Sequence, residues 1–404
     1  TGINPGNPSF ADTGGDGYNH TNPRGHYYGV CDPDNPDYDP AFPCNDKLIG
    51  AYDFTSLGGD ADNIETPLDV VGHGSHTAST AAGNSFPSAV LEAPTIEFTE
   101  PVSGVAPHAN IISYRACYSE DAGGICPGAA LYAAIEQAIL DGVDVINYSI
   151  SGTASDPWAP DSYDTQGFLA ARAAGISVAT SASNDGPQGA TIGSPAHAPW
   201  VLSVGASTDN RKFVNSLTQL TKDGGIPLPD IEGASITAGY GPARIVYAGN
   251  YPNPNDPDGD PALCRKPYPA GTFHGDIVVG DRGGGIARVE KGNNVLQGGA
   301  GGFVLINDEA SGDSLIADSY YLPAVNLSYV DGLALKDWLA SGNNHMAAIA
   351  GSAISSSNEN GDIMASFSSR GPDYPVSDVI KPDVSAPGVD ILAAGGTLGE
   401  VTWY

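Results

Sequence analysis

The chain has 404 residues, 41% of them hydrophobic, which is material for a buried core and for two or three domains of ordinary size. Its 47 acidic and 16 basic side chains give a formal net charge of −31, so nucleic acid and anionic membrane surfaces are excluded as partners by repulsion. No run of about 18 apolar residues is present for a helix to cross a bilayer, and 53 Gly and 32 Pro in so apolar a chain predict many turns rather than disorder.

The first residues, Thr1-Gly2-Ile3, are followed by Pro8-Ser9-Phe10-Ala11-Asp12. Asp32, Asp34, Asp37 and Asp39, and later Asp256, Asp258 and Asp260, are spaced like hard-cation ligands on turns, but neither set has the full pattern of a calcium loop. No metal ligand is assigned from them; no cofactor is required, and calcium is retained only as a structural ion. Cys31 and Cys44 enclose a 12-residue Pro/Asp loop, and Cys117 and Cys126 an eight-residue Gly-rich one, lengths that a disulfide closes readily. Local pairs of this kind suggest an oxidising compartment and leave Cys264 over. No two of the five cysteines lie two to four residues apart, which removes a metal-cluster reading.

The stretch Val70-Val71-Gly72-His73-Gly74-Ser75-His76-Thr77-Ala78-Ser79-Thr80-Ala81-Ala82-Gly83 sets two histidines at the head of a run of small residues. Such a run makes a poor solvated helix and a good buried one, because other backbones can approach it closely. It predicts a buried helix with His73 at its mouth, where an imidazole titrating near neutrality suits general acid–base work. The bland alternative is a core histidine satisfied by a carbonyl. A zinc pair is disfavoured, since the spacing is not that of a zinc-protease helix and no glutamate lies between the two.

Beyond it, apolar strands and amphipathic helices alternate at the pace of a parallel sheet. Ile111-Ile112-Ser113-Tyr114 reads as a strand. Leu131, Ile135 and Ile139 mark a helix that stops at Asp141-Gly142, and Val143 to Ile150 is the next strand. A helix over about Thr165 to Ala174 leads through Gly175 into a strand, Ile176 to Ala182; Trp200 to Gly205 adds another. Ligands of such sheets bind beyond the carboxyl ends of the strands, where Ser149-Ile150-Ser151-Gly152 and Ser183-Asn184-Asp185-Gly186-Pro187 both fall. The first can add an extended peptide as a strand. Asn184 can aim its amide at a developing oxyanion, although Asn-Asp-Gly-Pro alone reads as a turn.

Residues from about 226 to 350 carry their own α/β pattern: a strand (Asp276 to Asp281), a helix (about Arg288 to Gln297), strands (Gly302 to Asn307, Leu322 to Leu327) and a helix (Val330 to Ala340). Gly283-Gly284-Gly285 lacks a phosphate-binding spacing and reads as a loop. The first unit resumes with Ala365-Ser366-Phe367-Ser368-Ser369-Arg370-Gly371-Pro372 and Lys381-Pro382-Asp383-Val384-Ser385-Ala386-Pro387-Gly388-Val389.

In this order the segments resemble the subtilisin-like serine proteases. The His73 stretch is similar to their Gly-His-Gly-Thr-His motif, with Ser75 the one departure. Cys44-Asn45-Asp46-Lys47-Leu48-Ile49-Gly50-Ala51 resembles the plant-type branch, in which that cysteine pairs upstream. Residues 276–325 resemble the protease-associated domain inserted in large subtilases. The resemblance implies a subtilisin-like doubly wound parallel sheet, α/β in class, over residues 1–225 and 351–404, with the inserted α/β protease-associated domain at 226–350. It implies a secreted serine endopeptidase acting on proteins or peptides after loss of an N-terminal propeptide. His73 becomes the general base, His76 a structural neighbour and Asn184 the oxyanion donor; Ser149 to Gly152, with Ala182 and Ser183, line the substrate site. In that family an aspartate immediately precedes a Thr-Gly-Ile like Thr1-Gly2-Ile3, and the nucleophilic Gly-Thr-Ser follows the last matched segment; neither Asp12 nor Asp69 stands where the aspartate should, and no Gly-Thr-Ser occurs. The chain by itself is therefore expected to be inactive. A catalytically dead peptide-binding or adhesion module using the inserted unit is the alternative.

Overall fold

Two parallel sheets arise from the alternation of the first half of the chain in the computed structural model, which describes residues 1–59, 65–118, 125–152, 162–373 and 378–397. The chain runs through β1 (Tyr28–Gly29), β2 (Leu48–Asp53), α1 (His73–Ala82), the antiparallel hairpin of β3 (Phe86–Glu92) and β4 (Glu97–Val102), and β5 (Ile111–Arg115). β2 lies between β1 and β5, parallel to both. There follow α2 (Gly128–Leu140), β6 (Val145–Tyr148), α3 (Tyr163–Ala173), β7 (Ser177–Ser181) and β8 (Leu202–Ser207). β7 pairs in parallel with β6 and β8, and a late strand, Val384–Pro387, adds to the free edge of β8. The helices cover this second sheet because their repeating apolar positions meet it: Ile135 and Phe168 pack with Tyr148, Ile176, Val178 and Val201. Phe168, fully buried and edge-on to Tyr148, contributes roughly 1.5–3 kcal/mol from burial alone. Among the described residues β5 pairs only with β2 and β6 only with β7, and the two edges line one cavity of about 1840 Å³.

The second α/β unit consists of β9 (Arg211–Asp223), β10 (Ile231–Gly233), β11 (Tyr240–Tyr247), β12 (Ile277–Asp281), α4 (Arg288–Gln297), β13 (Gly302–Ile306), β14 (Ala324–Leu327), α5 (Tyr329–Leu339), β15 (Asn343–Ile349) and β16 (Ala353–Ser356). The sheet order is β10-β9-β15-β11-β12-β13-β14, with β16 also on β9; β11 to β14 are parallel and the rest antiparallel. Ile277-Val278-Val279 and Phe303-Val304-Leu305-Ile306 are buried on both faces, as strands between two layers must be. Ser328 starts α5 by accepting the Asp331 N–H at 3.1 Å.

The sheet of this unit takes strands from residue 211 to residue 356, wider than the expected 226–350. β9 escapes a pattern search because Asn215 occupies an inward position between Phe213 and Leu217 and Gln219 interrupts the alternation at φ +53°. The β3–β4 hairpin also lies outside the sequence expectation. Its Ala89, Leu91 and Val102 pack with Phe213, Ala234, Ile236, Ala317 and Leu392, so the hairpin joins the two units through one apolar cluster. The chain closes both disulfides, Cys31–Cys44 (S–S 1.97 Å) and Cys117–Cys126 (2.08 Å), and buries Cys264 as a thiol pushed up to about 12 by desolvation. Among the described residues no helix is long and apolar enough to cross a membrane.

A second joint between the units is polar. Asp390 accepts the Ala317 N–H at 2.9 Å, and its carboxyl is pushed from the ordinary 3.8 up to about 6 by burial first and by neighbouring Asp318, against the pull of the Ala317 hydrogen bond and Arg288. The folded state therefore holds its proton more tightly than the unfolded chain, and this group's contribution falls as pH rises from about 4 to about 6, by roughly 3 kcal/mol in all. Asp390→Asn keeps an acceptor for Ala317 and suits the φ of +55° found there. The variant is expected to unfold at higher temperature than the parent at pH 7.5 and to lose the pH 4–6 dependence; a superimposable pH profile would show that this carboxyl is not desolvated.

Candidate active site

α1 begins where it does because of Asp69. Its Oδ1 accepts the Gly72 N–H (2.8 Å), the Val71 N–H (3.1 Å) and the Thr1 hydroxyl (2.8 Å); its Oδ2 accepts the Ser75 N–H and hydroxyl, both at 2.7 Å. These are donors that a helix start leaves unpaired. Burial pushes the Asp69 carboxyl up, and the bonds from Gly72, Ser75 and Thr1 outweigh it, leaving the group below the usual carboxylate range. Asp69 is thus spent on the helix and makes no hydrogen bond to His73. Asp12 is elsewhere, accepting the Asp46 N–H at 3.0 Å.

The Thr1 hydroxyl oxygen also accepts the Gly74 N–H at 2.7 Å, and a Cβ on Gly74 would stand 2.2 Å from the Gly2 carbonyl oxygen, so only glycine fits after His73. Residues 391–397 run along the other side of the helix. His76 donates from Nε2 to the Ile391 carbonyl (3.1 Å), Ala394 N–H meets Ser79 Oγ (2.8 Å), and Thr397 N–H meets the Asp69 carbonyl (2.7 Å). Asn4 ties both sides together: its N–H reaches Ser75 Oγ and its amide the Gly395 and Gly396 carbonyls. The helix is buried at Ser75 and Ser79 but only half-buried at Thr77, Ala78, Ala81 and Ala82, which line the cavity, Ala78 and Ala82 also packing against the cluster of Ile3, Phe10 and Leu48.

The His73 side chain is exposed to the same cavity and makes no hydrogen bond to any described residue. Its pKa is lowered, first by the desolvating walls and then by His76, with Asp69 acting against them. The imidazole is thus held toward the neutral form, the one that can accept a proton.

Asn184 follows β7 on a loop built over residues 366–371. The Ser183 carbonyl accepts the Ser369 N–H (3.1 Å), Asp185 N–H meets Ser369 Oγ (3.0 Å), Gly186 N–H meets the Phe367 carbonyl (2.9 Å), and Thr191 N–H the Arg370 carbonyl (3.0 Å). With its loop so held, the exposed Asn184 side chain lines the cavity, its amide without a hydrogen bond to the described residues. Ser149, Ile150, Ser151 and Gly152 line it too. Gly152 N–H is fixed to the Ser194 carbonyl at 2.7 Å, and Gly193 must be glycine, since a Cβ there would lie 2.2 Å from the Gly152 carbonyl oxygen. Ala182 and Ser183, expected in the lining, are 1% and 8% exposed and sit behind it. Ser183 holds φ +89°, at a cost of order 1–2 kcal/mol for a residue with a Cβ, and its hydroxyl is turned to Asp185 Oδ2 at 2.8 Å.

The cavity therefore brings together a free imidazole at the start of α1, a free carboxamide after β7 and a backbone segment after β6. That set can take up a proton, stabilise a developing oxyanion and seat a peptide. Among the described residues no group of three or more His, Cys, Asp and Glu is placed to hold a metal ion. Sequence reasoning missed Asp69 and Asn4; the one available signal was an Asp six residues before a Ser at a helix start.

A model of the Subtilase family matches residues 1–402. Subtilisin-like protease SBT5.4 of Arabidopsis thaliana is 36% identical over 405 residues, covering 98% of this chain and 49% of the relative. Subtilisin-like protease SBT1.4 of the same plant is 37% identical over 414 residues, covering 97% and 48%. A solved psychrophilic subtilisin-like protease, Apa1 from the Antarctic psychrotroph Pseudoalteromonas sp. AS-11, aligns over 76% of this chain and 73% of its own at 18% identity, with a TM-score of 0.32. The chain spans about half the length of the curated relatives it matches. With the family model matching nearly every residue, the chain belongs to the subtilase family of serine proteases.

Proposed function

We propose that the whole protein is a secreted serine endopeptidase and that residues 1–404 hold its general base, its oxyanion donor and its substrate strand. The observation that carries this reading is that His73, Asn184 and Ser149 to Gly152 line one cavity with both functional side chains unspent. A serine supplied by the rest of the protein attacks the peptide carbonyl; His73 takes the proton from its hydroxyl and returns it to the leaving amine. Asn184 donates to the oxyanion, and an aspartate from a neighbouring segment holds the imidazole tautomer. The edges of β5 and β6, left unpaired among the described residues, line the same cavity as His73, which suits a further strand there that carries such an aspartate. The two disulfides suit a secreted protein. A cleaved propeptide, a protease-associated role for the unit inserted between β8 and Val384, and calcium as a structural ion belong to the same reading.

The test is a casein and peptide assay on the purified 404-residue chain and on the whole protein. Only the whole protein should turn substrate over, and a serine-directed inhibitor should stop it. Inhibitor-sensitive turnover by the 404-residue chain would put the nucleophile within these residues; an inert whole protein that still binds peptides would make it a binding module.

A further inference from the structure

The inserted unit reaches the candidate cleft through a short chain of contacts. α4 begins at Arg288, whose guanidinium forks onto Asp318 (Nη2 to Oδ1 2.9 Å, Nε to Oδ2 2.5 Å). The residue before Asp318 donates its N–H to Asp390 at 2.9 Å, and the carbonyl of the next residue, Ile391, holds His76, three residues along α1 from His73. The first turn of α4 is thereby fixed relative to the histidine helix. Glu290, the third residue of α4, is exposed there and lines the cavity that His73 and Asn184 share.

Its charge is unspent. Of the other described acidic side chains lining the cavity, Asp141 is bonded by Tyr52, Tyr114 and Gln137, Asp144 pairs with Arg24 at 3.3 Å, and Asp164 accepts the Thr165 N–H at 2.8 Å. Glu290 has no hydrogen bond or ion pair to any described residue. A free carboxylate standing in a cleft that receives a peptide acts on whichever side chain the peptide presents to it. It stabilises a cation and repels an anion, most strongly at low salt.

We propose that Glu290, carried into the cleft by the inserted unit, selects substrates bearing a lysine or arginine at the position it faces. This rests on the reading of the cleft as a peptide-cleaving site. An exposed pair of this kind corresponds to about a two- to fivefold effect on kcat/KM, carried mainly by KM.

The whole protease is assayed on peptides that differ only in Lys, Gln or Glu at successive positions around the cleaved bond. At one position the unsubstituted enzyme should prefer Lys over Gln, and the ratio should shrink toward one in about 0.5 M salt, where the Debye length is only a few ångströms. Glu290→Gln should bring the ratio to about one, and Glu290→Lys should reverse it in favour of Glu. Because each ratio is taken within one variant, a change in overall activity does not disturb the reading. Equal ratios in all three proteins would overturn the proposal while leaving the protease reading intact; a whole protein that cleaves no peptide at all would overturn both.

Discussion

Replacing His73 with alanine in the whole protease is expected to lower kcat by about 10⁶-fold with little change in KM, the magnitude known for loss of the base from a subtilisin triad. The geometry adds that no neighbour can substitute. His76 is committed to the Ile391 carbonyl, and Asp69 has both oxygens filled by Thr1, Val71, Gly72 and Ser75. A water entering the space left by the ring would find no other free base on that helix. Asn184→Ala should cost less, about 10²–10³ in kcat, again the figure known for a subtilisin asparagine. Steady-state kinetics on the two variants, with circular dichroism to confirm the fold, decides the matter. Turnover by His73→Ala within tenfold of the parent would remove His73 from the mechanism.

The sequence made His73 and Asn184 legible for different reasons. His73 stands out because a run of Ser, Ala, Thr and Gly has little purpose on a surface, whereas Asn184 stands out because the carboxyl ends of consecutive parallel strands converge. Helices α2 and α4 follow from local periodicity alone; α4 begins and ends where its apolar spacing and the following glycines say. What stayed hidden depends on contacts distant in the chain. Asp69 becomes a helix cap only when Thr1 and Ser75 are brought to it, 68 and six residues away. β9 is masked by Asn215, whose amide nitrogen donates to Ser235 Oγ and the Ala324 carbonyl inside the sheet, at a position where an apolar residue would be expected. Glu290 is indistinguishable in sequence from any surface glutamate, and only the docking of the inserted unit through Arg288, Asp318 and Asp390 gives it a place. Ala182 and Ser183 show the converse: adjacency to Asn184 suggests a lining role, but the loop turns at Ser183 and leaves both behind the wall.

Removing the imidazole of His197 is expected to cost about 3–5 kcal/mol of stability, because it strands a buried carboxylate. His197 Nδ1 stands 3.2 Å from Asp373 Oδ1, with both side chains at most 1% exposed; the two are in ion-pair range but not aligned as a hydrogen bond, and neither Asp373 oxygen has another partner among the described residues. The pair lies beneath the site. His197 ends the turn whose Ser194 holds Gly152 and whose Gly193 holds the Ala182 carbonyl, while Asp373 ends the segment whose Ser369 and Arg370 support the Asn184 loop. One contact thus clamps the substrate strand to the oxyanion loop from behind. The two halves are not equivalent. Asp373→Asn keeps a polar group of the same shape beside the imidazole, so it should cost clearly less than His197→Ala, and adding Asp373→Asn to His197→Ala should recover part of the loss. Chemical denaturation of the two single variants and the double variant of the whole protease measures the coupling, expected at about 1–3 kcal/mol for groups in contact. Additive single losses, each below about 1 kcal/mol, would mean that the two side chains are not coupled and that the loops are held by their backbone bonds alone.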